Sequence, residues 1–114
     1  MNLHTMGLFK EPFISIKEGR KTVEVRLNDE KRRKVNVGDL IEFILVPEDN
    51  ETLKVEVLGV TVFATFQEMY ESIPFEKFNC EGWTMDEMLN GTYEIYSKEQ
   101  EEHWGTLAIT IKKL

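Results

Sequence analysis

The stretch GRKTVEVR, residues 19–26, joins a helix stop to an alternating strand. Pro12 can occupy the first turn of a short apolar helix, and Gly19 is placed to end that helix. From position 22, polar and apolar residues alternate, which predicts a β-strand. Its apolar residues, Val23 and Val25, are expected to face the core. The polar side chains on the opposite face are Thr22, Glu24 and Arg26.

Three further strands are predicted after this segment. Residues 40–46 and 53–62 form a hairpin closed by the turn sequence PEDN at positions 47–50. Gly59 in the return strand marks a bulge or a barrel corner. Residues 106–112 alternate as a final strand.

Short helices are predicted between these strands. Helical spacing over residues 65–78 indicates one or two of them. A capping box at Thr84 begins another, which should run through Leu89 and end at Asn90-Gly91. A second capping box, at Ser97, begins a short helix before Gly105. Several strands with short helices inserted between them indicate an α+β fold built on a small mixed β-barrel.

Length and composition limit the class of protein. The 114 residues suit one domain over 1–114, and 41% hydrophobic residues suffice for a core, which excludes a disordered chain. No apolar stretch is long enough to span a membrane, and the first residues lack the features of a secretion signal, so a cytoplasmic location is expected. Cys80 is the only cysteine, which excludes an internal disulfide. We expect no metal and no cofactor.

Basic residues concentrate in one part of an acidic chain. The net charge is −7, yet residues 17–34 carry eight basic and four acidic side chains, a local charge of +4. An acidic body with one basic strip suits an anionic partner that touches one place only, and tight binding of duplex DNA is not expected. Arg32 and Arg33 are the candidate contacts to RNA. The alternative is that residues 31–34 form a solvated loop.

Lys21, Glu24 and Arg26 form the most informative group of polar side chains. Strand residues two apart lie roughly 7 Å apart, so Glu24 and Arg26 can grip different edges of one polar, planar ligand or pair with each other. The second arrangement would be an ordinary surface salt bridge. Four aromatic residues could stack a nucleobase, although aromatic residues at helix ends also serve in packing; they are Trp83, Tyr93, Tyr96 and Trp104.

The run Gly19-x-Lys21-x-x-Glu24-x-Arg26, the Val37-Gly38-Asp39 turn and the segment Tyr96-Ser97-x-Glu99-Gln100-Glu101 resemble the ASCH domain family of the PUA-like superfamily. This resemblance covers nearly the whole chain. It implies a small β-barrel with a cleft between barrel and helices, and a role in binding RNA or a nucleotide-like small molecule. The ligand residues then expected are Lys21, Thr22, Glu24, Arg26, Arg32, Arg33, Tyr96 and Trp104.

The resemblance also implies an alternative activity. One bacterial branch of the family consists of amidohydrolases that deacetylate N4-acetylcytidine with a lysine, a threonine and a glutamate. The lysine matches Lys21 and the glutamate matches Glu81, but Glu24 stands at the threonine position. A glutamate there would act as a base toward water rather than as a nucleophile, with Lys21 stabilising the oxyanion. In that case the catalytic residues would be Lys21, Glu24 and Glu81.

Overall fold

The computed structural model describes residues 1–114 and contains five strands and four α-helices. The strands are β1 (Leu3–Leu8), β2 (Val23–Leu27), β3 (Leu40–Leu45), β4 (Thr52–Phe63) and β5 (Thr106–Lys113). The helices are α1 (Lys10–Lys17), α2 (Phe66–Ser72), α3 (Met85–Tyr93) and α4 (Lys98–Trp104), and two 3₁₀ turns span Arg32–Lys34 and Phe75–Phe78. None of the helices combines the length and the apolar character that a membrane span requires.

All five strands form one sheet in the order β1-β3-β4-β5-β2. β1 pairs with β3 in parallel, and the other three pairings are antiparallel. β1 and β2 are therefore the two edges of a curled half-barrel. Side chains link these edges: Arg26 Nη2 donates to the Gly7 carbonyl at 2.8 Å, and Lys31 Nζ donates to the Thr5 carbonyl at 2.6 Å. The predicted α+β, barrel-like fold is confirmed, and the barrel is open between β1 and β2.

Each face of the sheet carries its own core. Alternation along β5 sends Leu107, Ile109 and Ile111 to the concave face, where they pack with α1 and the other strands. Ala108 faces the other way, into a core that α2 and α3 cover. Val23 belongs to this second core and Val25 is half-buried against it. β2 thereby turns Glu24 and Arg26 toward the open edge.

Several local predictions are confirmed. Gly19 follows α1 with a φ of +78°, a left-handed conformation that favours glycine. Thr84 and Ser97 form complete capping boxes with Glu87 and Gln100. The β4–β5 register shifts between Val57 and Gly59, which is the expected bulge.

Two expectations need correction. Helix α3 does not end at Asn90-Gly91 but continues to Tyr93, because Thr92 and Tyr93 make buried contacts that outweigh the roughly 1 kcal/mol cost of a helical glycine. Strand β1 was not predicted: its burial is irregular, and it is defined by pairing with β3, more than thirty residues away.

Candidate functional site

A cleft of about 380 Å³ opens where the sheet is incomplete. The end of β1 and strand β2 form one side, and α3 with the residues that flank it forms the other. The cluster of charged groups lies on β2 and just before it, a further acidic residue, Glu11, lines the cleft from α1, and most of the remaining wall is apolar. The half-barrel thus places one polar cluster at the base of an otherwise hydrophobic recess.

That cluster is an ion-pair network centred on Glu24. Lys21 Nζ lies 2.9 Å from Glu24 Oε1, and Arg26 Nη2 lies 2.8 Å from Oε2, to which Arg26 Nε also donates at 3.0 Å. The Glu24 side chain is only 4% exposed, and those of Lys21 and Arg26 are 15% and 11% exposed. Glu24 and Arg26 therefore pair with each other, which is one of the two expected arrangements, but the pair is buried rather than on the surface.

Glu24 is held in its ionised form. Burial alone would raise the pKa of its carboxyl group, but the charges and hydrogen bonds of Lys21 and Arg26 outweigh burial and lower the pKa below its usual value. With both cations charged, the three side chains carry a net charge of +1 at neutral pH. The network itself therefore offers an excess positive charge to an electron-rich group, and the other charged residue of the cleft lining is the exposed Glu11.

The network leaves hydrogen-bonding capacity toward the cleft. Lys21 makes one polar contact with the protein, to Glu24, so its ammonium has N–H groups to spare. Arg26 is more constrained, since Nη2 also holds the Gly7 carbonyl at 2.8 Å. Lys21 is thus the side chain best able to donate to a ligand.

Tyr96 contributes an aromatic ring and a hydroxyl group. Its ring stacks on Phe66 with centroids 5.5 Å apart and planes 17° apart, which fixes the side chain in place. The Tyr96 hydroxyl has no hydrogen-bond partner in the protein, and burial raises its pKa, so the group is protonated at neutral pH. It is an available donor and acceptor in the cleft wall.

Tyr70 is committed to the fold by a chain of hydrogen bonds. Thr92 Oγ1 lies 2.8 Å from the Met88 carbonyl and 2.6 Å from the Tyr70 hydroxyl. Because Thr92 has one hydroxyl proton, which the carbonyl accepts, Tyr70 is the donor to Thr92. Burial raises the pKa of Tyr70 to about 12. Its hydroxyl oxygen can still accept a hydrogen bond.

Three large apolar side chains surround the mouth of the cleft. Phe9, Trp83 and Ile95 are 63%, 47% and 64% exposed, and all three line the cleft. They come from separate segments: the residue before α1, the turn before α3 and the turn after α3. Exposed aromatic and aliphatic groups gathered at a concave site are typical of ligand recognition.

The structure brings only some of the predicted site residues together. Lys21, Glu24, Arg26 and Tyr96 line the cleft. The five others lie outside it, and they are Thr22, Glu81, Arg32, Arg33 and Trp104. Thr22 precedes the first residue of β2 and does not line the cleft with Glu24; its backbone N–H donates to the Lys77 carbonyl.

The other predicted site residues that lie outside the cleft are exposed or make contacts elsewhere in the fold. Glu81 is exposed. Arg32 pairs with Asp29 at 3.1 Å, and the Arg33 guanidinium lies 5.5 Å from the centre of the Trp104 ring, which is half-buried against the second core. Their roles in catalysis or RNA binding stay predictions.

Sequence reasoning missed Phe9 and Ile95 as cleft residues. Each is a single apolar residue next to a helix end, which ordinarily indicates packing. Trp83 is one of several aromatic residues that the sequence offers for stacking. The available signal was that it lies between Gly82 and the helix cap Thr84, outside any apolar periodicity.

The chain is similar to proteins of known structure. The family model described as "ASCH domain" matches residues 6–114. The crystal structure of hypothetical protein PH0355 superposes with a TM-score of 0.87 and 35% identity over 100% of both chains. The solution structure of protein PF0455 from Pyrococcus furiosus gives 0.77 and 34% over 98% of this chain and 97% of that one.

A more distant structure supports the fold alone. The S128A mutant of ZmASCH from Zymomonas mobilis gives a TM-score of 0.64 at 12% identity, covering 96% of this chain and 67% of that one. Comparison with curated proteins gives no match. Because the family model spans almost all of the sequence and the half-barrel agrees with it, the chain belongs to the ASCH domain family.

Proposed function

We propose that the cleft binds a nucleobase, presented by a free nucleoside or by single-stranded RNA. The observation that carries the proposal is the position of a fixed polar cluster, Lys21-Glu24-Arg26, at the base of a cleft whose mouth is apolar and aromatic. A nucleobase has a hydrogen-bonding edge and two π faces, and proteins recognise unpaired bases through both.

The polar cluster suits the edge of a base. Lys21 can donate to a ring carbonyl, while Oε1 of Glu24, whose one contact in the protein is Lys21, retains a lone pair that can accept from an exocyclic amine. Tyr96 adds a hydroxyl that can do either. A donor beside an acceptor is the pattern that pairs with the amino and carbonyl groups of a base.

The mouth suits the faces of a base and limits the size of the ligand. Trp83 and Phe9 offer exposed rings, and stacking on an aromatic side chain stabilises a bound base by about 1 to 3 kcal/mol. A volume of about 380 Å³ lies at the lower end of the range for small-molecule sites. It suits one nucleoside, and a duplex would have to be opened to enter it.

Thermal shift and calorimetry with the four ribonucleosides and pentaribonucleotides test this proposal. A ligand at 100 times its Kd stabilises the folded chain by about 2.7 kcal/mol, which raises the melting temperature measurably. Lys21→Gln should weaken binding at least tenfold, about the 1.4 kcal/mol of one charge-assisted hydrogen bond. The exposed Lys98→Gln is the matched control and should bind like the wild type. Absence of binding to every nucleoside and oligonucleotide would refute the proposal.

Hydrolysis of an acylated cytidine is the second candidate function. Lys21 is placed to polarise a carbonyl in the cleft, which favours it. The ionised Glu24, with its lowered pKa, is a weak general base, and Glu81 lies outside the cleft. Incubation with N4-acetylcytidine and measurement of released cytidine decides between them. If the wild type releases cytidine and Lys21→Gln does not, hydrolysis is favoured over binding alone.

A further inference from the structure

A second depression, of about 360 Å³, adjoins the cleft at Lys21. It lies where the end of α1, the start of β2, the second 3₁₀ turn and the end of β5 meet. Four lysines line it and no acidic residue does; the lysines are Lys21, Lys77, Lys112 and Lys113. We call this surface the lysine depression. Lys21 is the one residue that lines both concavities, so they adjoin there.

Most of these lysines lack a counter-charge. Lys21 pairs with Glu24, and Lys113 Nζ donates to the Lys17 carbonyl at 3.0 Å. Lys77 and Lys112 make no ion pair or side-chain hydrogen bond. Glu56 is opposite Lys112 in the β4–β5 register but is not within ion-pair distance of it. The uncompensated positive charge therefore faces solvent.

Two hydroxyl groups accompany the ammonium groups. Thr22 and Thr110 line the lysine depression, and neither hydroxyl has a partner in the protein. Ammonium and hydroxyl donors together are typical of groups that hold phosphate oxygens. Their concentration in a chain of net charge −7 runs against the average charge of the surface. Like charges gathered in this way repel each other, and an anionic ligand relieves that repulsion.

We infer that the lysine depression binds the backbone phosphates of single-stranded RNA whose base occupies the cleft. This inference rests on the proposed function and deepens it, because it makes the ligand a polynucleotide rather than a free nucleoside. Lys21 lines both concavities, so the lysine depression, with Lys77 and Lys112, lies next to the cleft that would hold the base. Several lysines that line one depression suit consecutive phosphates better than they suit a single phosphate.

Salt-dependent binding tests the inference. The probes are cytidine, uridine and adenosine, the pentaribonucleotides rC5, rU5 and rA5, and hexaglutamate. The variant Lys77→Gln/Lys112→Gln is compared with Lys98→Gln, which removes one exposed charge elsewhere. Each phosphate contact to a single strand contributes about 0.7 to the slope of log K against log salt, so the double variant should lower the pentamer slope by about 1.4. Its affinity for nucleosides should not change.

The outcomes separate this inference from the proposed function. If nucleosides bind and the pentamer slope is the same in the double variant as in the wild type, the lysine depression is not an RNA surface, and the base site stands. If hexaglutamate binds as tightly as the pentamers, the surface recognises an acidic protein segment and the inference is overturned. If neither nucleosides nor pentamers bind the wild type, both proposals fail.

Discussion

Lys21 Nζ lies 2.9 Å from Glu24 Oε1, and Lys21 is the one residue of this pair that also reaches the lysine depression. The contact fixes the ammonium group beside Glu24, which lines the cleft. Glu24 therefore does more than neutralise a charge, because it positions the lysine that both proposals require. Stability measurements and binding measurements on variants of this network distinguish its two roles.

Removing Glu24 should destabilise the fold strongly. Glu24→Ala leaves Lys21 and Arg26 as two largely buried cations without their anion, a change that typically costs about 3 to 5 kcal/mol. Glu18 is the control, because it pairs with Arg20 on the surface, where such pairs contribute about 0 to 1 kcal/mol. Urea unfolding measures both variants. Equal losses in free energy of unfolding would show that the Glu24 network has no special role in stability.

Acid should remove the stabilisation that the ionised Asp39 carboxylate gives to the folded state. Hydrogen bonds from His4 at 2.8 Å and from the Asn2 and Asn36 N–H groups lower the pKa of Asp39 from 3.8 to about 2. Because the folded pKa is the lower one, this stabilisation is full above pH 3.8 and is lost as the pH falls through about 2. The stability difference between wild type and Asp39→Asn should therefore shrink from about pH 5 to about pH 2. Asp49→Asn, on an exposed turn, is the control, and a difference independent of pH would contradict the prediction.

Glu101 should contribute more to the stability of the fold than its neighbour Glu102. Its buried carboxylate accepts from the Phe66 N–H at 2.7 Å and from the Tyr93 hydroxyl at 2.8 Å, which ties α4 to the start of α2 and the end of α3. Glu101→Ala should lower the free energy of unfolding by about 1 to 3 kcal/mol, because it leaves buried donors unpaired. Glu102→Ala, on the exposed side of α4, should change it little. Chemical denaturation of both variants gives the comparison.

Trp83 should contribute to ligand binding, whereas Trp104 should contribute to stability. Trp83→Ala should weaken nucleoside binding by about 5-fold to 100-fold, corresponding to a lost stacking contact, without changing the melting temperature. Trp104→Ala should lower the melting temperature, since Trp104 packs against the second core beneath Arg33, and should leave affinity unchanged. Calorimetric titration with the nucleosides measures affinity. If Trp104→Ala weakened binding and Trp83→Ala did not, Trp104 rather than Trp83 would be the stacking residue.

The parts of the fold that local chemistry defines were predictable. Gly19, the two capping boxes and the bulge at Gly59 follow from backbone conformation and from side chains within a few residues of one another. β1 was not predictable in this way, because its pairing with β3 is long-range and parallel. The end of α3 was misplaced because buried contacts of Thr92 override the local preference of Gly91.

The candidate site was predictable only in part, for a similar reason. Lys21, Glu24 and Arg26 lie close in sequence, so their meeting follows from one strand and the residues before it. Thr22, which precedes β2, does not line the cleft. The lysine depression could not be predicted from the sequence, since Lys77 and Lys112 come from distant segments that only the tertiary fold brings together.

The open edge of the half-barrel has a consequence for self-association. A free strand edge offers carbonyl groups on which a second chain can build, and this is a common route to aggregation. On the free edge of β1, the carbonyl groups of Thr5 and Gly7 are already occupied by Lys31 and Arg26. Two charged side chains thus cover the acceptors that an incoming strand would need. Arg26 therefore occupies an acceptor that strand addition would use, at the same point where the cleft opens beside the sheet.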